Sequence, residues 1–250
     1  MKKGCSTMIV DRIYKISAFG DFSDITPTAE NMMFFLENFK EDGLIPTVFQ
    51  EFKIDNGTPQ PKAMQRIALI SNDGLVNIPI GTARIDYEIK ITEDVKLSPS
   101  ELDKVKEKIV RILGLIFNHF CKSASRLALN TENLIVGLSD VEIASFLKLF
   151  SNPISSYNAG SLEEWSTRLM VRKDAIIGER KEKFNVITAV AKTNLHKNVN
   201  NEIEESVGFS ISGDINTIAE KTALRFGAED FEPFIDVVTS WWENIINELS

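Results

Sequence analysis

Residues 98–122 read SPSELDKVKEKIVRILGLIFNHFCK, and this stretch decides how the chain divides. Ser98-Pro99-Ser100-Glu101 carries the signature of a capping box with proline in the first helical position, so a helix starts here. Leu102, Val105, Ile109, Ile112, Leu113, Ile116 and Phe120 follow at spacings of three and four. That is an apolar stripe, with Lys104, Lys106, Lys108 and Arg111 largely off it. A helix reaching about Lys122 would be about 35 Å long, enough to cross the back of a sheet.

Upstream, Met8 to Phe19 (MIVDRIYKISAF) mixes alternation with β-branched and aromatic residues and reads as a strand. Thr26-Pro27 offers an N-cap and first-turn proline for a helix to about Lys40. Ile45–Ile54 and Met64–Ser71 read as strands, the first followed by the turn-rich stretch from Asp55 to Pro59. Asn72-Asp73-Gly74 reads as a hairpin turn, because Asn and Gly tolerate positive φ. The next strand has Val76, Ile78 and Ile80 on even positions but Ile85, Tyr87 and Ile89 on odd ones. That change of parity predicts a bulge or bend near Gly81.

Downstream, the order begins again. A strand from Arg126 to about Val136 precedes a second capping box, Ser139-Asp140-Val141-Glu142, and a helix with Ile143, Phe146, Leu147 and Phe150. Asn152-Pro153 stops it. Strands are predicted over Trp165–Lys173, Phe184–Lys192 and Val207–Ser212, a short helix over Thr217–Phe226, and a last helix from Asp230 to Leu249. The expectation is an α+β fold of two pseudo-repeated β-α-β-β-β-α halves, 1–124 and 125–250, in one continuous domain or two. Their sheets would be antiparallel, joined edge to edge, with the long helices on one face and the other face, or the cleft between the halves, free for a ligand or partner.

The 250 residues are 43% hydrophobic and 26% charged, as expected of a folded globular chain. The longest apolar stretches, such as Ile112 to Phe117, fall far short of a bilayer span. Ser6, Thr7, Asp11 and Arg12 interrupt what would be the apolar core of a signal peptide. A cytoplasmic protein without membrane contact is expected. Cys5 and Cys121 are too few for a disulfide framework or a zinc site, and Cys121 is expected in the core. The net charge of −8 argues against general nucleic-acid binding.

The phosphate-cradling, nucleophile-elbow and helical zinc motifs are absent, so no catalytic residue, cofactor or metal is assigned. His119 and Cys121 stand two apart and would diverge on a helix, which speaks against a dyad. His119 reads as a partly buried residue at a helix C-terminus, and His196 as a residue of a polar loop. Asp21 and Asp24 could offer oxygen ligands to a hard cation, though capping the turn explains them as well. Glu51 and Asp55 could pair at the end of a strand.

Charge is segregated. Bases crowd residues 168–197, while from Glu202 onward Lys221 and Arg225 are the only ones. Arg168 and Arg172 share a strand face and could meet phosphate or an acidic partner, unless the acidic C-terminal third pairs with them. On the last helix, adjacent Trp241 and Trp242 point about 100° apart: either one joins the core and the other lies at an interface edge, or both rings lie over the sheet. The expected function is a non-catalytic protein-binding or assembly component of a cytoplasmic complex. Trp241, Trp242, Arg168 and Arg172 are the partner-binding residues, and another protein or a second copy is the partner. The alternatives are a small-ligand-binding protein or enzyme with its site in the cleft between the halves, and a phosphate or nucleic-acid contact through 168–197.

Overall fold

The computed structural model describes residues 8–53, 62–91, 98–150, 164–199 and 202–249. Asp55, Asn152-Pro153 and Cys5 lie outside them. The elements are β1 (Met8–Phe19), α1 (Ala29–Phe39), β2 (Leu44–Lys53), β3 (Lys62–Ser71), β4 (Val76–Ile80), β5 (Arg84–Lys90), α2 (Pro99–His119), β6 (Arg126–Val136), α3 (Asp140–Phe150), β7 (Ser166–Ile177), β8 (Arg180–Val199), β9 (Glu202–Thr217) and α4 (Phe231–Leu249). The fold is α+β: among the described residues, nine strands form one antiparallel sheet in the order β2-β3-β4-β5-β1-β6-β9-β8-β7, accompanied by four α-helices.

Both capping boxes form. The Ser98 N–H donates to Glu101 Oε2 at 2.7 Å and the Glu101 N–H donates to Ser98 Oγ at 3.4 Å; Ser139 and Glu142 repeat the arrangement. Gly74 takes φ +73° in the β3–β4 turn, where Asp73 accepts from the Leu75 N–H at 3.0 Å. The cap of α1 is Thr28, two residues later than expected, and its hydroxyl accepts from the Asn31 N–H.

Other expectations are corrected. The parity change near Gly81 marks a hairpin, not a bulge: β4 and β5 pair antiparallel with Ile80 opposite Ile85, so even and odd positions meet on one face. The turn is held from beneath, where Thr82 donates through its N–H and hydroxyl to Glu51 Oε2 at 2.9 and 2.7 Å. Glu51 therefore holds this turn, beside the buried Arg66, whose guanidinium donates to the carbonyls of Phe22, Ser23, Ile80 and Gly81 and stands 3.6 Å from Glu51. No helix forms over Thr217–Phe226. Thr217 ends β9, and Phe226 bridges to Ala124 while Arg225 reaches Glu182 Oε1 at 3.1 Å, so long-range contacts take the place of helical hydrogen bonds. His196 lies in β8 opposite Glu205, not in a loop. Cys121 is exposed beyond the end of α2 with φ +51°, not in the core. His119 is also exposed and stacks on Phe34 with ring centroids 3.6 Å apart.

One continuous apolar core joins β-strand residues such as Ile16, Leu129 and Ile211 to Ile112 and Ile116 of α2 and to Phe234, Ile235 and Val238 of α4. Phe117 of α2 meets Phe22 and Phe231, and Phe146 of α3 meets Phe209 of β9. Among the described residues no helix is long and apolar enough to cross a membrane.

Candidate functional site

The middle of the sheet is the β1–β6 pair, and its inward row is where polar groups enter the core. β6 sends Leu127, Leu129, Thr131, Asn133 and Ile135 to one face; all five are buried, and two of them are polar. Across from them, Tyr14 pairs with Thr131 and Asp11 with Asn133, because the register shifts between Asp11 and Ile13. Residues three apart on a regular strand face opposite ways, so the extra residue of this bulge is what brings Asp11 and Tyr14 to the same side. The carbonyl of Arg12 in the bulge accepts from the Ile91 N–H at 2.8 Å.

Over these rungs lies a cavity of about 390 Å³, bordered by Ser98 at the cap of α2, by Leu102 of α2 and by Thr239, Trp242, Glu243, Ile246 and Asn247 of α4. Its size is at the small end of ligand pockets, about 300–1,000 Å³. Three residues of its sheet wall each carry a buried polar atom with no hydrogen-bond partner: Tyr14 Oη, Thr131 Oγ1 and Asn133 Oδ1. The residues that carry them are only 7, 5 and 3% exposed. Each such atom costs about 1–3 kcal/mol, and buried polar groups in folded proteins are nearly always paired. Asn133 donates its amide nitrogen to Asp11 Oδ1 at 2.6 Å, which orients its carbonyl oxygen toward other donors. Burial, and after it the carboxylates of Glu243 and Asp236, push the Tyr14 phenol far above its ordinary value, so it stays protonated.

The helix wall depends on a glycine. Gly213 of β9 pairs with Thr131, and a Cβ there would stand 2.5 Å from Trp242 Cζ3 and 2.8 Å from Thr131 Oγ1. Only a residue without a side chain lets the indole lie this close to the sheet.

The residues singled out in the sequence lie elsewhere, Trp242 excepted. Trp242 is 6% exposed and lines the cavity. Trp241 is half-buried, edge-on to Phe184 at 5.3 Å, with Lys173 Nζ 5.2 Å from its ring. Arg168 and Arg172 are exposed on β7, the last strand of the sheet. Arg172 donates to Asn185 Oδ1 at 3.2 Å and to Glu220 Oε1 at 3.0 Å. Arg180 pairs with the buried Asp230 at 2.5 Å, so the acidic C-terminal third does neutralise part of the basic segment. Asp21 accepts from the Ser23 N–H, and Asp24 pairs with Lys122 at 2.6 Å. The side chain of His196 is outside the described set.

A second concavity, of about 370 Å³ beside Phe19, Arg84 and Asp86, differs in one respect. Its polar groups are engaged with one another: Asp86 accepts from Ser17 Oγ at 2.6 Å and pairs with Arg84 at 2.9 Å. Of the two, only the first is lined by residues whose buried polar atoms lack a partner. Comparison with known proteins finds no match: no protein family, no curated protein and no solved structure resembles the chain.

Proposed function

We propose that this is a non-catalytic, cytoplasmic binding protein that holds a small molecule in the cavity between its two halves. The observation that carries the reading is the set of three buried, unpartnered polar atoms on the wall of an otherwise largely apolar cavity, the composition expected of a site that orients a ligand. No histidine or cysteine lines it among the described residues, which favours binding over chemistry.

The reading takes 1–124 and 125–250 as pseudo-repeated halves. Strand order supports this. Outward from the β1–β6 pair, one direction runs β5-β4, β3, β2 and the other β9, β8, β7, with a hairpin of two short strands in the place of one long strand. β1 and α2 would then supply one side of the cavity and β6 and α4 the other, with α2 and α4 on the same face of the sheet. The contacts of Trp242 with Gly213 and of Phe184 with Phe234 and Trp241 favour that placement of α4.

The test is native mass spectrometry of the protein purified gently from its own host. A monomer retaining a small molecule, lost when Ile246→Trp fills the cavity, is the expected outcome. A bare protein whose thermal midpoint no small-molecule library member raises would overturn the reading.

One observation favours assembly with another protein or a second copy instead. Edge strand β7 leaves Leu169, Met170, Val171 and Ile176 exposed beside Arg168 and Arg172, and an unpaired apolar edge invites strand addition. In that case the same spectra would contain a stoichiometric protein mass or a defined homo-oligomer.

A further inference from the structure

We infer a second binding site, on the face of the sheet turned away from the first cavity: an oxyanion site, gripped by the guanidinium of Arg126, for a carboxylate or phosphate on a small apolar body. Phe19 ends β1 and pairs with Arg84 of β5 on one side and with Arg126 of β6 on the other, so the three side chains stand in one row. Tyr14, Ile16 and Ala18 point into the core, and Ser17 and Phe19, in alternation with them, face the other way. The Arg126 Cζ stands 4.1 Å from the centroid of the Phe19 ring and the Arg84 Cζ 5.7 Å.

The two arginines differ in what they meet. Arg84 Nε is 2.9 Å from Asp86 Oδ2, and Asp86 also accepts from Ser17. The cations gathered around residues 122–126 are matched as well, Lys122 with Asp24, Arg180 with Asp230, and Lys221 and Arg225 with Glu182. Arg126 is not. Among the described residues no carboxylate meets it, and its Nε is buried without an acceptor. A guanidinium donates through five N–H groups and accepts nothing, so the missing partner is an acceptor, and the charge selects an anionic one. The Phe19 ring covers one face of the group and leaves its planar edge, which a carboxylate or phosphate engages through two parallel hydrogen bonds.

The concavity of about 370 Å³ shares Phe19 and Arg84 with this row and offers Phe49, Pro79 and Ala83 to an apolar body. Its two carboxylates are already neutralised, Glu51 by Arg66 at 3.6 Å and Asp86 by Arg84. With Arg126 the neighbourhood holds three arginines against two carboxylates, an excess of one positive charge. None of its lining residues borders the first cavity, so the inference stands apart from the ligand proposed there.

Benzoate, phenyl phosphate and the neutral isostere benzamide, titrated calorimetrically into the full chain, test the site. An anion is expected to bind once per chain, at least about tenfold tighter than benzamide, and to weaken as salt is raised; the tighter of the two anions names the group. Arg126→Met should abolish that binding, and Arg126→Lys, which keeps the charge without the fork, should weaken it several-fold. Lys40→Met, which removes one charge from an exposed position elsewhere, should leave it unchanged. Anion binding undiminished in either Arg126 variant, an equal loss in Lys40→Met, benzamide binding as tight as that of the anions, or no binding of either anion would overturn the site.

Discussion

Thr131→Val should stabilise the ligand-free protein, whereas the same substitution at Thr217 should destabilise it. Both threonines are buried on strands that border each other, at 5% and 0% exposure. They differ in what their hydroxyls meet. Thr217 Oγ1 accepts from the Leu127 N–H at 3.0 Å and donates back to the Leu127 carbonyl at 3.4 Å, one position beyond the last β6–β9 register pair. Removing it strands a buried N–H, a loss of about 1–3 kcal/mol. Thr131 Oγ1 has no partner, so valine exchanges an unpaired hydroxyl for a methyl of nearly the same shape and should gain about 1 kcal/mol. For a chain of this size that is a rise of about 2–4 °C in thermal midpoint. Equilibrium unfolding in urea on ligand-stripped protein, with the slope checked to be common to all three proteins, reads both changes directly. The same Thr131→Val protein should show less ligand-induced stabilisation, since its site has lost a hydroxyl. If Thr131→Val loses stability as Thr217→Val does, the hydroxyl is already satisfied and the case for a waiting site collapses.

Gly213→Ala drives a methyl into Trp242 and Thr131. Overpacking of about 1–3 kcal/mol, less the about 0.5–1 kcal/mol an alanine gains over glycine in a strand, leaves a net loss seen as a lower urea midpoint; an unchanged midpoint would mean that the indole does not sit where it is described. Arg66→Met leaves four carbonyls and Glu51 without their cation and should cost about 3–5 kcal/mol, with a near-neutral result in the same assay refuting its role as a strut. At alkaline pH, the folded protein holds the Tyr14 proton beyond the point where the unfolded phenol releases it, near 10.0. The stability this contributes is complete below pH 10 and declines as pH rises through the folded value. Unfolding midpoints taken from pH 8 to 11 should therefore fall less steeply in Tyr14→Phe than in the wild type, and parallel curves would contradict the burial of that phenol.

What was legible in the sequence was what is local. Ser98-Pro99-Ser100-Glu101 and Asn72-Asp73-Gly74 hold their hydrogen-bonding partners within three or four residues, so their reading needs no knowledge of the fold. The errors arise where a distant group decides. Residues 217–226 have no helix because Arg225 and Phe226 find partners at Glu182 and Ala124, which no window of sequence contains. Adjacent Trp241 and Trp242 point apart on any helix, and which of them the core takes is decided by the sheet, where Phe234, Val238 and Trp242 join it. The cavity was the hardest feature to read, since Tyr14 and Thr131 are opposite each other only after β1 and β6 pair. Two traces of it do stand in the sequence. The broken alternation of Met8 to Phe19 is the bulge that turns Asp11 and Tyr14 to one side. The inward row Leu127, Leu129, Thr131, Asn133, Ile135 places two polar residues where an ordinary central strand has none. A core row that is apolar at both ends and polar in the middle carries a cost at every polar position, and that cost is offset only if something supplies the missing hydrogen bonds. Such a row, more than the conspicuous tryptophans and arginines, is the place to look for function in a chain without motifs.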